Sequence, residues 1–474
     1  MSIALAERVH QRTRVLAGLK GPPTHDGVRP MTKSPALLIL SLFLAATSAG
    51  IGAQERPPEA WLLMANPAEG MDTGITIGWH ARVPGTFLEI ATEPDSAFAA
   101  PRRVPGVCDP VTHLDTATGT THEVLKCRAG VEGLEGGRAY RYRAGRDSFS
   151  RPGRFLTAAP GQTFSFLYMS DVHVHNPLPE RLRAGVALLE LARTLEPDIR
   201  FTILGGDMLA YGSAYDAWNS LADSPLVTTQ MTAFAAGNHE FYDHTAKSRG
   251  PGYFNNFIHN PANGADGVAN TSYFFRYGNA LFLSISSEDS WSSDALLEAQ
   301  KAWFRRVVAE NPATFIIAWT HRPFYNGSTG NAGHALTNRT NWSPLFDELG
   351  VDLVLSGHDH VYVRTAPTFG GEATSEPGKG TVYLTSATVG DRYRDADPEN
   401  PYTNLERILG GETLGTIFTL GPDAIRLRTH DMSGTTVDEA VLPARRRSGG
   451  ESSGVRAPAP GPCEEKLAAS HPAV

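Results

Sequence analysis

The sequence predicts a layered α/β unit preceded by a small all-β sandwich, on three observations. Residues 57–157 are cut into short alternating segments, GITIGWHAR, TFLEIATE, THEVLKCRA and AYRYRAG among them, by clusters of Gly, Pro and Asp. Strands at this spacing make a sandwich of about 100 residues. From Thr163 onward, nearly continuous apolar runs alternate with helical stretches, the pattern of strands buried on both faces. Five of those runs end in Asp, His or Asn, and in such sheets ligands bind beyond the carboxyl ends of the strands.

A chain of 474 residues exceeds one ordinary core, so two folded units are expected. With 41% hydrophobic and 19% charged residues the composition is globular, and a net charge of -8 provides no broad basic surface for holding nucleic acid. Stable nucleic-acid binding is not expected. From Met31 the chain reads MTKSPALLILSLFLAATSAGIGAQE: one lysine, an apolar run from Ala36 to Ala46 interrupted only by Ser41, then small residues. This is the layout of a secretory signal peptide, and the run is shorter than the ~20 residues of a membrane span. Residues 31–53 are therefore expected to be a signal peptide cleaved near Ala53 or Gln54, with Ser48 and Gly50 as alternatives. Residues 1–30 are expected to be a mis-annotated upstream extension. The mature chain is expected to be secreted or periplasmic, with no transmembrane anchor left after cleavage.

Within the β-sandwich of residues 57–157, Cys108 and Cys127 are candidates for a disulfide, which agrees with export; two buried thiols account for them nearly as well. Cys463 falls in residues 445–474, a Gly-, Ser-, Pro- and Ala-rich tail without apolar periodicity that is expected to be disordered.

The second unit, residues 163–443, opens on the strand TFSFLYMS, followed by a helix around Pro179 to Leu195 and the strands IRFTILGG and MTAFAAG. Further on come ALFLSISS, a helix around Asp294 to Ala309, TFIIAWT, VDLVLSG and TVYLTSA. The stretch from Glu240 to Asn270, rich in Gly, Asn, Pro and aromatic residues, reads as a functional rim or lid. The strand ends deliver, in order, Asp171-Val172-His173, Asp207, Asn238-His239-Glu240, His321 and His358-Asp359-His360. One Asp or Asn at a strand end is explained by local hydrogen bonding. Five such ends crowd carboxylates and imidazoles on one sheet edge, and a cation is the simplest thing to hold them together. The donor types suit hard or borderline ions, the absence of cysteine disfavours a closed structural zinc site, and the count fits two ions.

The ordered series DVH, GGD, GNHE, a lone His after an apolar strand, and GHDH resembles the calcineurin-like metallophosphoesterase superfamily. The segments TSYFFRYGNALFLSISSE, AWFRRVV, WTHRPFYN and VDLVLSGHDHVYVRT are similar to those of purple acid phosphatases and their bacterial relatives. Residues 57–157 resemble the fibronectin-type-III-like N-terminal domain of the larger members. The resemblance covers roughly residues 57 to 441 and implies a four-layer α+β sandwich of mixed sheets flanked by helices. It implies two metal ions drawn from Fe, Mn and Zn: one on Asp171, His173, Asp207 and His360, the other on Asp207, Asn238, His321 and His358, with Asp207 bridging. The implied activity is an exported, acid-phosphatase-like phosphomonoesterase acting on a small phosphorylated substrate through a metal-bridging hydroxide. By the same resemblance His239 contacts the phosphoryl group and protonates the leaving oxygen, an orienting role being the alternative.

Other readings are a phosphodiesterase on nucleotides or phospholipid headgroups, and a catalytically degenerate secreted binding protein. Retention of every ligand type counts against the last. Purple acid phosphatases carry a tyrosine three residues after the GGD aspartate; here Ala210 stands there, with Tyr211 next to it, so His173 is expected to replace that ligand and an obligatory iron(III) is not implied. His334, in the loop after His321, is by analogy a substrate contact, and Arg322 and Tyr325 beside His321 are candidate contacts for an anionic substrate.

Overall fold

Residues 58–95, 97–245 and 250–445 are described in a computed structural model of the protein; the expected upstream extension, the signal peptide and the tail beyond Arg445 lie outside them. Eight strands come first: β1 (Ala60–Asn66), β2 (Ile75–Ala81), β3 (Phe87–Thr92), β4 (Arg102–Pro105), β5 (Val107–Asp115), β6 (Thr120–Val131), β7 (Ala139–Gly145) and β8 (Gly153–Leu156). They form two antiparallel sheets, ordered β1-β2-β6-β5 and β4-β3-β7-β8. Alternate residues of β7, Tyr140, Tyr142 and Ala144, are buried and join Trp79, Leu88 and Phe155 in the core, as period-2 patterning requires. Cys108 and Cys127 face each other across β5 and β6 and are joined by a disulfide.

Two mixed sheets follow. The first contains β9 (Phe164–Met169), β10 (Ile199–Leu204) and β11 (Met231–Phe234), running parallel. The second is built on β12 (Tyr273–Tyr277), β13 (Ala280–Ser284), β14 (Phe315–Trp319), β15 (Leu353–His360) and β16 (Tyr362–Thr365). After the two-residue strands β17 (Thr368–Phe369) and β18 (Glu372–Ala373), β19 (Val382–Ala387) and β20 (Leu405–Leu409) extend the second sheet, while β21 (Leu414–Leu420), β22 (Ala424–Asp431) and β23 (Thr436–Pro443) return to the first. The strand orders are β11-β10-β9-β21-β22-β23 and β12-β13-β14-β15-β19-β16-β20. Every residue of β9, β11, β13 and β14 is buried, because each sheet is covered on both faces. Phe166, Phe201, Phe282 and Trp319 fill the layer between the sheets. The helix Pro179–Leu195 and the helix Tyr215–Ala222 cover the outside of the first sheet, while Asp294–Glu310 and Ala332–Leu349 cover the second. The architecture is the four-layer mixed α/β sandwich that the sequence predicts, behind a strand-rich front.

Within the stretch Glu240 to Asn270, read from the sequence as a rim or lid, residues 250–270 are instead a wedge between the front sheet and the α/β layers. Phe254, Phe257 and Ile258 are buried, so apolar burial holds the insertion down. Lys126 of β6 donates to the carbonyls of Asn255 and Ile258. His80 of β2 is fully buried between the Tyr215 hydroxyl at 2.8 Å and the Asn256 carbonyl at 2.8 Å.

Burial holds the His80 imidazole down to about 4, and the charges of Lys126, His113 and His122 act in the same direction. In the unfolded chain it titrates near 6.5. Between these values the unfolded state takes up a proton that the folded state refuses, so His80's contribution is present above pH 6.5 and is lost as pH falls toward 4. The loss amounts to about 3 kcal/mol. Melting temperature is therefore expected to fall between pH 7 and pH 4.5, and His80→Gln is expected to flatten that fall; parallel pH profiles for the two proteins would exclude His80 as its source.

Candidate metal centre

The parallel strands of both sheets end on the same side, and an isolated bridge between Ser170 and Thr388 links the two sheets there. Among the described residues seven non-glycine residues have positive φ, and five of them are Asp171, His173, Asp207, His358 and His360. A left-handed backbone costs an L-residue about 1–2 kcal/mol. Such outliers persist only where the surroundings over-determine them, and they cluster at functional sites. Here they are pinned by the hydrogen bonds from Asp171 N to Gly206 O (3.0 Å) and from His173 N to Asp207 O (2.9 Å). Glycine is required beside them. Gly206 has φ of +96°, and a Cβ there would lie 2.6 Å from His321 Nδ1; a Cβ on Gly357 would lie 2.0 Å from Ser170 Oγ.

Four imidazoles are locked in one tautomer, since a carbonyl can only accept. Nδ1–H donates to a backbone carbonyl in His173 (Asp171, 2.9 Å), His239 (Ala210, 2.7 Å), His321 (Gly205, 3.0 Å) and His360 (Arg392, 2.5 Å). In each, Nε2 is therefore the nitrogen turned to the cluster. Asp207 Oδ2 lies 3.1 Å from His321 Nε2, 3.6 Å from His173 Nε2 and 3.8 Å from His239 Nε2. His360 Nε2 is 3.2 Å from Asp171 Oδ1. Asn238 Oδ1 and His358 Nδ1 are each 3.2 Å from His321 Nε2. Three overlapping groups, Asp171–His173–His360, His173–Asp207–His239 and Asp207–His321–His358, have the spacing of a metal site.

Two observations test whether these residues fit metal ions. Asp171 Oδ1 and His173 Nε2 are buried without a hydrogen-bond partner, an expensive arrangement for lone pairs unless a cation satisfies them. The electrostatics agree. Burial alone would raise Asp171 and Asp207, but His360 and His321 around them hold both carboxyls below the ordinary range. Burial opposes a charge on His321, yet Asp207 and Asp171 carry it up to about 10, while burial holds His173 down to about 4 and His358 well below its ordinary value. The cluster draws positive charge into its middle, where metal ions satisfy the lone pairs better than a single proton.

The remaining expected residues are placed unevenly. His239, at 18% side-chain exposure, is far more accessible than His173 or His321. Glu240 is buried and accepts from the backbone N–H groups of Asp207 (2.8 Å), Leu209 (3.0 Å) and Gly237 (2.8 Å), so it shapes the loops that carry Asp207 and Asn238. His334 reaches the cluster through His358, with 3.0 Å between His334 Nδ1 and His358 Nε2. Arg322 lies 3.2 Å from His334, but Glu288 grips its guanidinium (2.5 and 2.8 Å) over the ring of Trp291. Tyr325, expected at the site, is instead packed into the core against Tyr383 and Tyr402 under Arg339; its ring turns to the apolar layer behind the loop. Tyr211 stacks on His244 at 4.0 Å. Asp359 had no assigned role from the sequence. It is fully buried and binds Gly327 N, Ser328 and Asn331, clasping the loop after His321. A charged residue between two histidines was the only signal.

Residues 164–362 match the family model described as calcineurin-like phosphoesterase. An uncharacterised protein of Mycobacterium tuberculosis is 26% identical over 195 residues, 37% of this chain and 36% of that protein. Purple acid phosphatase 23 of Arabidopsis thaliana is 26% identical over 184 residues, 38% of each chain. The chain thus aligns with little more than a third of the length of these curated relatives. Among solved structures, purple acid phosphatase PPD1 from yellow lupin (Lupinus luteus) superposes with a TM-score of 0.68 at 15% identity, covering 82% of this chain and 75% of that one, a likeness of fold.

Proposed function

Since residues 164–362 form a calcineurin-like phosphoesterase domain, we propose that the protein is a dinuclear metal-dependent phosphoester hydrolase, exported from the cytoplasm, whose preferred substrates are small phosphomonoesters. The observation that carries this reading is the convergence of buried imidazole nitrogens on Asp207 Oδ2. One ion would be held by Asp171 Oδ1, His173 Nε2, His360 Nε2 and Asp207, the other by Asp207, Asn238 Oδ1, His321 Nε2 and His358 Nδ1. Bound there, two ions from the set Fe, Mn and Zn would polarise the phosphoryl oxygens and lower the pKa of water.

The protein's own groups do the rest. The Ala210 carbonyl holds His239 Nδ1–H, so in the imidazolium form the second proton sits on Nε2, and that nitrogen gives it to the leaving oxygen. His334 and Arg322 steady the outer face of His358, orienting a ligand rather than the substrate. The division into a front sandwich, residues 57–157, and a catalytic unit, residues 163–443, is part of this proposal.

Metal analysis of the purified protein, followed by rates with p-nitrophenyl phosphate and its bis-ester, tests the reading. Two ions per chain and monoester preference are expected. Diester preference would move the assignment to a phosphodiesterase, and absence of both metal and turnover would leave a binding protein. In the same assay His239→Ala is expected to keep its metal and lose roughly 10² to 10⁴ in kcat; an unchanged kcat would reduce His239 to scaffolding.

A further inference from the structure

The front sandwich buries polar groups whose partners lie in the α/β unit, beside the loop that holds His239. His113 and Asp115, on the inward face of β5, are 1% and 3% exposed. His113 Nε2–H donates to the Ser213 carbonyl (2.9 Å), and its Nδ1 accepts from the Asn256 amide (3.2 Å). Asp115 Oδ2 accepts from Tyr215 N at 3.1 Å, while Oδ1 ties down the hairpin's own turn through Ala117 N and Thr118 N. Thr116, at the tip, places its hydroxyl 2.9 Å from Ser213 Oγ and 3.2 Å from His244 Nδ1, and accepts from His244 N at 2.9 Å.

The residues gripped in this way are the outer layer of the His239 loop. Gly212 N donates to the His239 carbonyl (2.8 Å) and Ser213 N to that of Tyr242 (3.3 Å). His239 Nδ1–H donates to the Ala210 carbonyl (2.7 Å), and Tyr211 stacks on the same His244 that Thr116 binds. Residues 210–213 are therefore clamped between the hairpin tip and the turn His239–Phe241. A mere spacer would need apolar packing or solvated contacts; buried hydrogen bonds from the hairpin to loops and a helix start of the α/β unit instead fix position and orientation, because misaligning them costs the desolvation already incurred.

We infer that the tip of the β5–β6 hairpin is a positioning element for His239, with Thr116 as its principal contact. The inference rests on the proposed role of His239 as proton donor to the leaving oxygen. Displacing the 210–213 loop moves the carbonyl that aims the imidazole, and a proton donor tolerates little misplacement.

The test compares Thr116→Val, Thr116→Ser and Ser213→Ala in the full-length, metal-loaded protein, each with and without His239→Ala, using p-nitrophenyl phosphate and phenyl phosphate. The second has the poorer leaving group and depends more on protonation. Thr116→Val is expected to lower kcat for phenyl phosphate about tenfold, within the range seen for residues that orient reacting groups, with a smaller loss for p-nitrophenyl phosphate. KM and bound metal are expected to stay the same, Thr116→Ser to restore the rate, and Thr116→Val to add nothing in the His239→Ala background. Ser213→Ala, which removes the partner hydroxyl from the other side, is expected to repeat the pattern. If His239→Ala lowers kcat while neither hydroxyl deletion does, or if the deletions act equally with and without His239, the hairpin has no positioning role. If His239→Ala itself leaves kcat unchanged, the proton-donor reading fails first and this inference falls with it.

Discussion

Asp207→Ala is expected to empty both metal positions and to lower kcat/KM by about a thousandfold or more. Two of the neighbours of its Oδ2, His173 and His321 at 3.6 and 3.1 Å, belong one to each proposed ion, which makes Asp207 the side chain shared between them in this proposal. Metal-ion stabilisation of a phosphoryl-transfer transition state is worth several kcal/mol, and each 1.4 kcal/mol is a factor of ten. The buried imidazoles also lose the carboxylate that carries His321 up to about 10. Metal content by elemental analysis and turnover of p-nitrophenyl phosphate check both halves of the expectation; a variant that keeps two ions and normal turnover would refute the bridge.

The second large effect is one of stability. Glu240 is buried and satisfies three backbone N–H groups in the two loops that carry Asp207 and Asn238. Glu240→Ala leaves those donors without acceptors in a dry site, at about 1–3 kcal/mol each. The metal-free protein is expected to lose about 3–5 kcal/mol by denaturant titration, and metal affinity is expected to fall because the loops no longer hold their shape. Glu240→Gln, whose amide oxygen still accepts, is expected to lie between. A Glu240→Ala protein with the wild-type denaturation midpoint would show that these donors find other partners.

The strand-end series was legible because each of its residues must stand at a strand terminus, and apolar runs such as FSFLYM and FIIAW mark those termini on the sequence. The layered α/β unit was legible for the same reason, and its four layers only through the family resemblance those strand ends carry. The helix Ala332–Leu349 was not read. Its buried positions Ala335, Asn338, Trp342, Leu345 and Phe346 keep helical spacing, but one of them is Asn and Pro344 interrupts the run, so periodicity alone did not announce it. Tyr325 is near His321 in sequence, but the chain turns between them and buries the tyrosine among Tyr383 and Tyr402. The clasp made by Asp359 and the grip of Thr116 on Ser213 join residues 28 and 97 positions apart. Such pairings exist only once the sheets have assembled, and no local pattern encodes them.

The cross-strand bond between Cys108 and Cys127 bears on that last contact. Side chains alternate along β5, so His113 and Asp115 are buried while Thr112 and Leu114 are exposed. A slip of one residue between β5 and β6 would turn both inward groups out to water and present their neighbours to Ser213. Because the two cysteines are directly opposed partners in the ladder, the covalent link forbids that slip over the whole length of the hairpin. It acts as an indexing pin: the strand edge far from the cluster dictates which face of the hairpin arrives at the other end.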